Sequence, residues 1–242
     1  MGFYEEISKY YDNIFPIGNE QIAIIMETAG KPPKAILDVA CGTGGYSLEL
    51  AKQGYLVTAV DIDAKMVEAA RDKAKINNVE FNAIQANMLT LTVDLAEKYD
   101  LIFCIGNSIV HLGGLNEIEK FLSDVKSLLK VGGSAIFQII NYDRVMKKGI
   151  TSLPTITDET IGLCFERMYE LDRVSGNVLF NTILKVNNEK IENSIPLYPL
   201  LSNDFLNLIK QVGFINIELF GDFKGSKYDT ENSYMTVLRI SE

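Results

Sequence analysis

Ile36-Leu37-Asp38-Val39-Ala40-Cys41-Gly42-Thr43-Gly44-Gly45 is the stretch on which the fold turns. The apolar run from Ala35 to Val39 stops at a turn built from Gly42, Gly44 and Gly45. Tyr46-Ser47-Leu48-Glu49-Leu50-Ala51 then follows with a helical apolar pattern. A buried strand, a glycine turn and a helix together bring a nucleotide-like ligand against backbone in α/β proteins. Glycine serves here because it lacks a Cβ, so it permits positive φ and close approach of a ligand. Asp38 sits at the strand's end, where a carboxylate faces the ligand crevice. Asp61 closes the next apolar run, Leu56 to Val60, 17 residues after Gly44. An acid in that place accepts the two hydroxyls of a ribose. The third position of a G-x-G-x-x-G fingerprint counted from Gly42 is Ser47, and no Lys-Ser/Thr pair follows the turn, so neither a dinucleotide nor a phosphate loop is indicated. An acidic turn without a nearby cation suits a positively charged or neutral ligand.

These residues resemble the first motif of the class I S-adenosylmethionine-dependent methyltransferases, with Ala40 standing where that family has its first glycine. The resemblance implies S-adenosylmethionine as cofactor. It also implies a Rossmann-like, doubly wound seven-stranded sheet with its last strand antiparallel. Outward from the motif the chain agrees with such an α/β fold. Strands are expected at 35–39, 56–61, 79–84, 99–105 and 133–141, with helices near 45–53, 64–77 and 115–130. That alternation predicts a parallel sheet covered on both faces. After 141 the pattern changes to an antiparallel insertion, with strands at 164–173, 177–186 and 189–195. A helix capped by Ser202 to Asp204 runs to Val212, and strands at 214–220 and 233–240 end the chain. The expected organisation is a helical N-terminal lid over 1–34, a cofactor-binding core over 35–141, an inserted substrate region over 142–200 and a closing helix and hairpin over 201–242. In the lid, Phe3, Ile7, Tyr10, Tyr11 and Ile14 fall at helical spacing, followed by Ile22, Ile25, Met26 and Ala29 after a Pro16-Ile17-Gly18 break.

The remaining cofactor contacts come from the resemblance. The third strand ends in Asn87-Met88, where the family offers a polar side chain to the adenine amino group. Ile62 and Met88 are expected to sandwich the ring. Ala40, Gly42, Gly44, Cys104, Gly106 and Tyr11 complete the expected cofactor set with Asp38 and Asp61. Asn141, Tyr142 and the single histidine, His111, are the candidates for the acceptor side, because they lie just past strand ends. Gly106-Asn107-Ser108, Asn141-Tyr142-Asp143 and Gly221-Asp222-Phe223-Lys224 are similar to segments of the glycine and sarcosine N-methyltransferases, as is Tyr10-Tyr11-Asp12. That branch clamps its substrate carboxylate with an arginine near a Tyr-Pro segment. Here Ser194 to Pro199 carries none, and no arginine lies between Arg173 and Arg239. Arg144 is the substitute if its loop folds inward.

The expected reaction is direct displacement at the sulfonium methyl by a nitrogen or oxygen of a small molecule, nitrogen first. The cofactor supplies the activation, and the protein aligns donor and acceptor. A non-catalytic cofactor-binding module and a nicotinamide-dependent oxidoreductase are the competing readings. Composition bounds these choices. The 242 residues are 47% hydrophobic, enough for a sizeable core. A net charge of −9 disfavours nucleic acid or an anionic membrane as partner. The three cysteines are widely spaced and form no metal-ligand pattern, so no metal site is expected and reduced thiols fit a cytoplasmic setting. The first residues have neither a basic segment nor an apolar run, so no signal peptide is expected. Oligomeric state is left open.

Overall fold

The computed structural model describes residues 7–241. Its frame is a seven-stranded sheet in the order β10-β11-β5-β4-β1-β2-β3. These strands are β1 (Ala35–Val39), β2 (Leu56–Asp61), β3 (Asn82–Gln85), β4 (Tyr99–Cys104), β5 (Leu129–Ile140), β10 (Asn216–Phe220) and β11 (Met235–Ser241). β1 to β5 run parallel. β11 runs antiparallel between β5 and β10, as expected from the resemblance. The chain begins at the middle of the sheet, moves outward through β2 and β3, and returns to the other side of β1 with β4. That reversal opens a crevice at the carboxyl ends of β1 and β4, where ligands of doubly wound sheets bind.

The central strands are apolar because helices cover both their faces. Four of the five β1 residues are buried, and five of the six in β4. In the chain's helical segments, α1 is Tyr11–Ile14, α2 Asn19–Ala29, α3 Gly45–Lys52 and α4 Ala64–Ile76. α5 is Leu91–Asp94, α6 Leu115–Leu128, α7 Tyr142–Lys148 and α8 Ser202–Val212. α6 shows the pattern well: Ile118, Phe121, Leu122, Val125 and Leu128 form its buried stripe. α4 starts cleanly because the Asp63 carboxylate accepts the N–H groups of Lys65 and Met66.

Some boundaries differ from the sequence reading. β3 starts at Asn82 rather than 79, because Asn78 adopts a left-handed conformation and the Val79 N–H bonds back to Ala74, ending α4. Ser202 does not cap α8. It is the first helical residue, and its N–H donates to Asp143 at 2.9 Å. The helical N-terminal start, expected to break at Pro16-Ile17-Gly18, is a 3-10 turn over Ser8–Tyr10 and α1 before that break and α2 after it. Phe3 lies outside the described residues.

The insertion is a separate four-stranded antiparallel sheet: β6 (Ser152–Asp158), β7 (Leu163–Leu171), β8 (Val178–Val186) and β9 (Glu189–Leu197). β6 carries Pro154, which an edge strand tolerates, and a register irregularity lies between Leu153 and Ile156. Ile7 and Ile14 pack on this sheet with Leu163, Phe165, Leu184 and Val186. The N-terminal segment thereby spans from the insertion to the glycine turn.

Candidate active site

At the carboxyl ends of β1 and β4 lies a cavity of about 710 Å³. Its floor is the glycine turn. Ala40 holds φ 59°, a left-handed conformation that a side chain disfavours, and Gly42 follows at φ 55°. A Cβ on Gly42 would lie 2.8 Å from the Tyr11 ring, so this glycine lets the N-terminal segment close on the turn. Gly44, by contrast, does not line the cavity. It stands at the head of α3 with φ 73°, and a Cβ there would lie 2.8 Å from Ala70 of α4. It lets α3 and α4 pack closely, and the expected ligand contact has no counterpart in the lining.

Both acids reach the cavity. Asp38 is 3% exposed and accepts the Ser47 hydroxyl at 2.7 Å. Burial raises its carboxyl to about 7; the Ser47 bond opposes the rise, and the neighbouring Asp61 charge adds to it. Asp61 accepts the Gly42 N–H through Oδ2 and the Asp63 N–H through Oδ1, each at 2.9 Å. Burial raises this carboxyl too, against those donated bonds. Each oxygen keeps a second lone pair.

Ile62, 63% exposed, and Met88 both line the cavity, as does Ala40. Asn87 does not. Its Oδ1 accepts the Leu89 N–H at 2.9 Å and starts the turn over Met88–Thr90, so that acceptor is turned to the backbone rather than to an adenine. Cys104 is fully buried below the end of β4 and outside the lining; its thiol is pushed up by burial. Cys41 lines the cavity instead.

β4 leads into Gly106, at φ 86°, where a Cβ would meet no atom within 4 Å. Its N–H donates to Gln138 Oε1 at 2.7 Å. Gln138 lines the cavity and was not anticipated, although a glutamine inside Ala135 to Ile140 is a polar interruption of a buried strand. Ser108 and His111 follow in a 3-10 turn and also face the cavity. Burial lowers the His111 imidazole to about 4, so it is neutral near pH 7. Across from them the insertion contributes Asn193 and Ile195, and the N-terminal segment contributes Tyr11, Phe15 and Ile17.

Asn141 and Tyr142 are corrected by the structure. The chain turns into α7 directly after β5, which carries both into the core. The Asn141 amide donates to the carbonyls of Asp229, Thr230 and Ser233 at 2.9–3.3 Å. Its Oδ1 accepts the Arg144 N–H and the Tyr228 hydroxyl. The Tyr142 hydroxyl accepts from Asn107 at 3.2 Å, and burial pushes it up to about 12. Neither lines the cavity. Arg144 stacks over the Tyr234 ring at 5.7 Å and does not fold inward.

Residues 36–133 match the family model described as a methyltransferase domain. The protein is an S-adenosylmethionine-dependent methyltransferase. It is 27% identical over 212 residues to a glycine/sarcosine N-methyltransferase of Halorhodospira halochloris, spanning 87% of this chain and 76% of the relative. Its fold is that of an S-adenosylmethionine-dependent methyltransferase from Clostridium acetobutylicum, with a TM-score of 0.81 at 17% identity over 99% of each chain. It also matches CalS10 of Micromonospora echinaspora, an amino pentose methyltransferase solved with S-adenosylmethionine. That match has a TM-score of 0.70 at 16% identity, over 100% of this chain and 98% of the other. The cofactor of the methyltransferase is therefore S-adenosylmethionine, and the cavity suits it. Two desolvated carboxylates line it with no lysine or arginine among the described lining residues, and an apolar pair, Ile62 and Met88, stands at the wall. Among the described residues there is no group of metal ligands, and no helix is long and apolar enough to cross a membrane.

Proposed function

We propose that this methyltransferase transfers its methyl group to the nitrogen of a small-molecule amine. The observation that carries the reading is that one cavity joins the glycine turn and Asp61 to a neutral imidazole, His111. The relative named as a glycine/sarcosine N-methyltransferase, similar over most of the chain, supports nitrogen as the acceptor atom.

In this reading Asp61 accepts the ribose hydroxyls through its remaining lone pairs, Ile62 and Met88 hold the adenine, and Tyr11 packs over the turn. Asp38, Ala40, Gly42 and Gly106 bound the amino-acid end of the cofactor. The cofactor supplies an activated methyl group on a sulfonium, so the chain's work is alignment and exclusion of water. His111 accepts a hydrogen bond from the amine N–H and aims the nitrogen lone pair at the methyl carbon. With a pKa of about 4, the imidazole orients the amine and leaves its proton to solvent. Ser108 and Gln138 present further polar atoms to the same space.

Methyl-labelled cofactor incubated with a panel of small amines and matched alcohols tests the reading. Label appearing on amine products is the expected result. Label appearing on the alcohols alone overturns nitrogen as the acceptor.

A further inference from the structure

The charge of the cavity is one-sided. Asp12, Asp38 and Asp61 line it, and among the described residues no lysine or arginine does. The lysines nearest it are held in ion pairs. Lys73 Nζ donates to both Asp12 oxygens, at 2.8 and 2.7 Å, and to the Thr43 hydroxyl at 2.9 Å. That pair neutralises Asp12. Lys224, next to the lining residue Phe223, lies 2.9 Å from Glu20. On the insertion, Arg167 does not line the cavity: its Nη2 donates to the Pro154 carbonyl at 2.6 Å, and its buried Nε has no hydrogen-bond partner among the described residues. Asp38 and Asp61 are left, held only by a hydroxyl and by backbone N–H groups.

S-adenosylmethionine carries a sulfonium, an ammonium and a carboxylate, one net positive charge. With the cofactor in place, the two acids leave the site one negative charge in excess. The attacking amine is a free base, because a protonated nitrogen has no lone pair to give. An amino acid in that form is an anion, and it adds a second negative charge to a water-poor cavity that offers no cation to it. An amine bearing hydroxyls adds none. The side chain placed to meet such groups is Asn193 of β9. It stands opposite the buried Thr182 in the sheet register, with Ile195 two residues on along the same face. An amide both donates to and accepts from hydroxyls, and it does not replace a guanidinium as partner of a carboxylate.

We infer that the acceptor is an amine without a carboxylate or phosphate group, its uncharged hydroxylated part read by Asn193, and this rests on nitrogen being the acceptor atom. The chemical class is that of amino alcohols and amino sugars rather than amino acids. Asn193 is thus a specificity residue on the inserted sheet, a position that the strand-end motifs do not indicate.

Matched pairs test it: 2-aminoethanol against glycine, N-methyl-2-aminoethanol against sarcosine, and an amino sugar against its amino uronic acid. Initial rates are measured with methyl-labelled cofactor and the full chain. The uncharged member of at least one pair is expected to exceed its carboxylate partner by about tenfold or more in kcat/KM. Asn193→Arg is expected to reverse that order while S-adenosylhomocysteine affinity stays within about twofold. If glycine or sarcosine is the better substrate of the unaltered enzyme, nitrogen transfer stands and the charge assignment falls. If no amine of either class takes label while S-adenosylhomocysteine still binds, both fall.

Discussion

Asn in place of Asp38 separates what the cavity costs the empty protein from what it gives the bound one. The Asp38 carboxyl titrates near 3.8 when free and at about 7 in the fold, chiefly because burial disfavours its charge. Between those values the folded protein holds a proton that the unfolded chain has lost. Stability of the empty protein therefore falls as pH rises from about 4 to about 7, then stays level with respect to this group. A difference of about three pH units corresponds to roughly 4 kcal/mol, an upper value for so buried a group. Asp38→Asn removes that penalty, and the Ser47 hydroxyl can still donate to the amide oxygen. At pH 8 the empty variant is expected to unfold roughly 10 °C above the parent chain, with the difference shrinking towards zero near pH 4. Cofactor binding should move the other way. The variant loses a negative charge facing a cationic ligand, so S-adenosylmethionine affinity is expected to drop on the order of 10- to 100-fold. In the parent chain that affinity should weaken as pH falls below about 7, where Asp38 takes its proton. Thermal unfolding from pH 4 to 8, with calorimetric titration of cofactor at pH 8, checks both arms. A variant no more stable than the parent at pH 8, or one that binds cofactor equally well, would refute the desolvated-acid argument.

Ala40→Gly should stabilise the protein by about 1 kcal/mol in urea unfolding, because it relieves the left-handed φ of 59° at the turn. Asp61→Ala should weaken S-adenosylhomocysteine binding by about 1–3 kcal/mol in calorimetry, and unchanged affinity would make Asp61 a support for Gly42 alone. Asn141→Ala strands three carbonyls of the 229–233 loop, with an expected loss of about 3 kcal/mol in denaturant unfolding. Its folded fraction should still bind cofactor normally, since Asn141 lies outside the cavity.

The parallel strands were legible because burial on both faces demands near-continuous apolar runs, as in Ala35–Val39 and Leu101–Cys104. β6 was not, because an edge strand with Pro154 and an irregular register has no such demand. That Asp38, Asp61, Gly106 and His111 line the cavity could be read because each lies at or shortly past the end of a recognisable strand. Asn141 and Tyr142 satisfy the same rule and fail it, since nothing local announces that the chain turns into α7 and buries them. Tyr11 is reached only through the resemblance of Tyr10-Tyr11-Asp12, and Asn193 and the Phe15 to Ile17 wall depend on which distant segment folds over the crevice. That is set by packing between Ile7, Ile14 and the inserted sheet rather than by any nearby pattern.

Among the described residues the inserted sheet enters the cavity through two side chains, Asn193 and Ile195, while the main sheet and the segment after β4 contribute Asp38, Asp61, Gly106, His111 and Gln138. In the proposed reading the acceptor is met from two scaffolds at once, His111 on one and Asn193 on the other. If that reading holds, a change at the two β9 positions alters what the acceptor meets and leaves Asp61, Ile62 and Met88 in place for the donor. Likeness in the strand-end motifs then says little about which acceptor such a chain methylates.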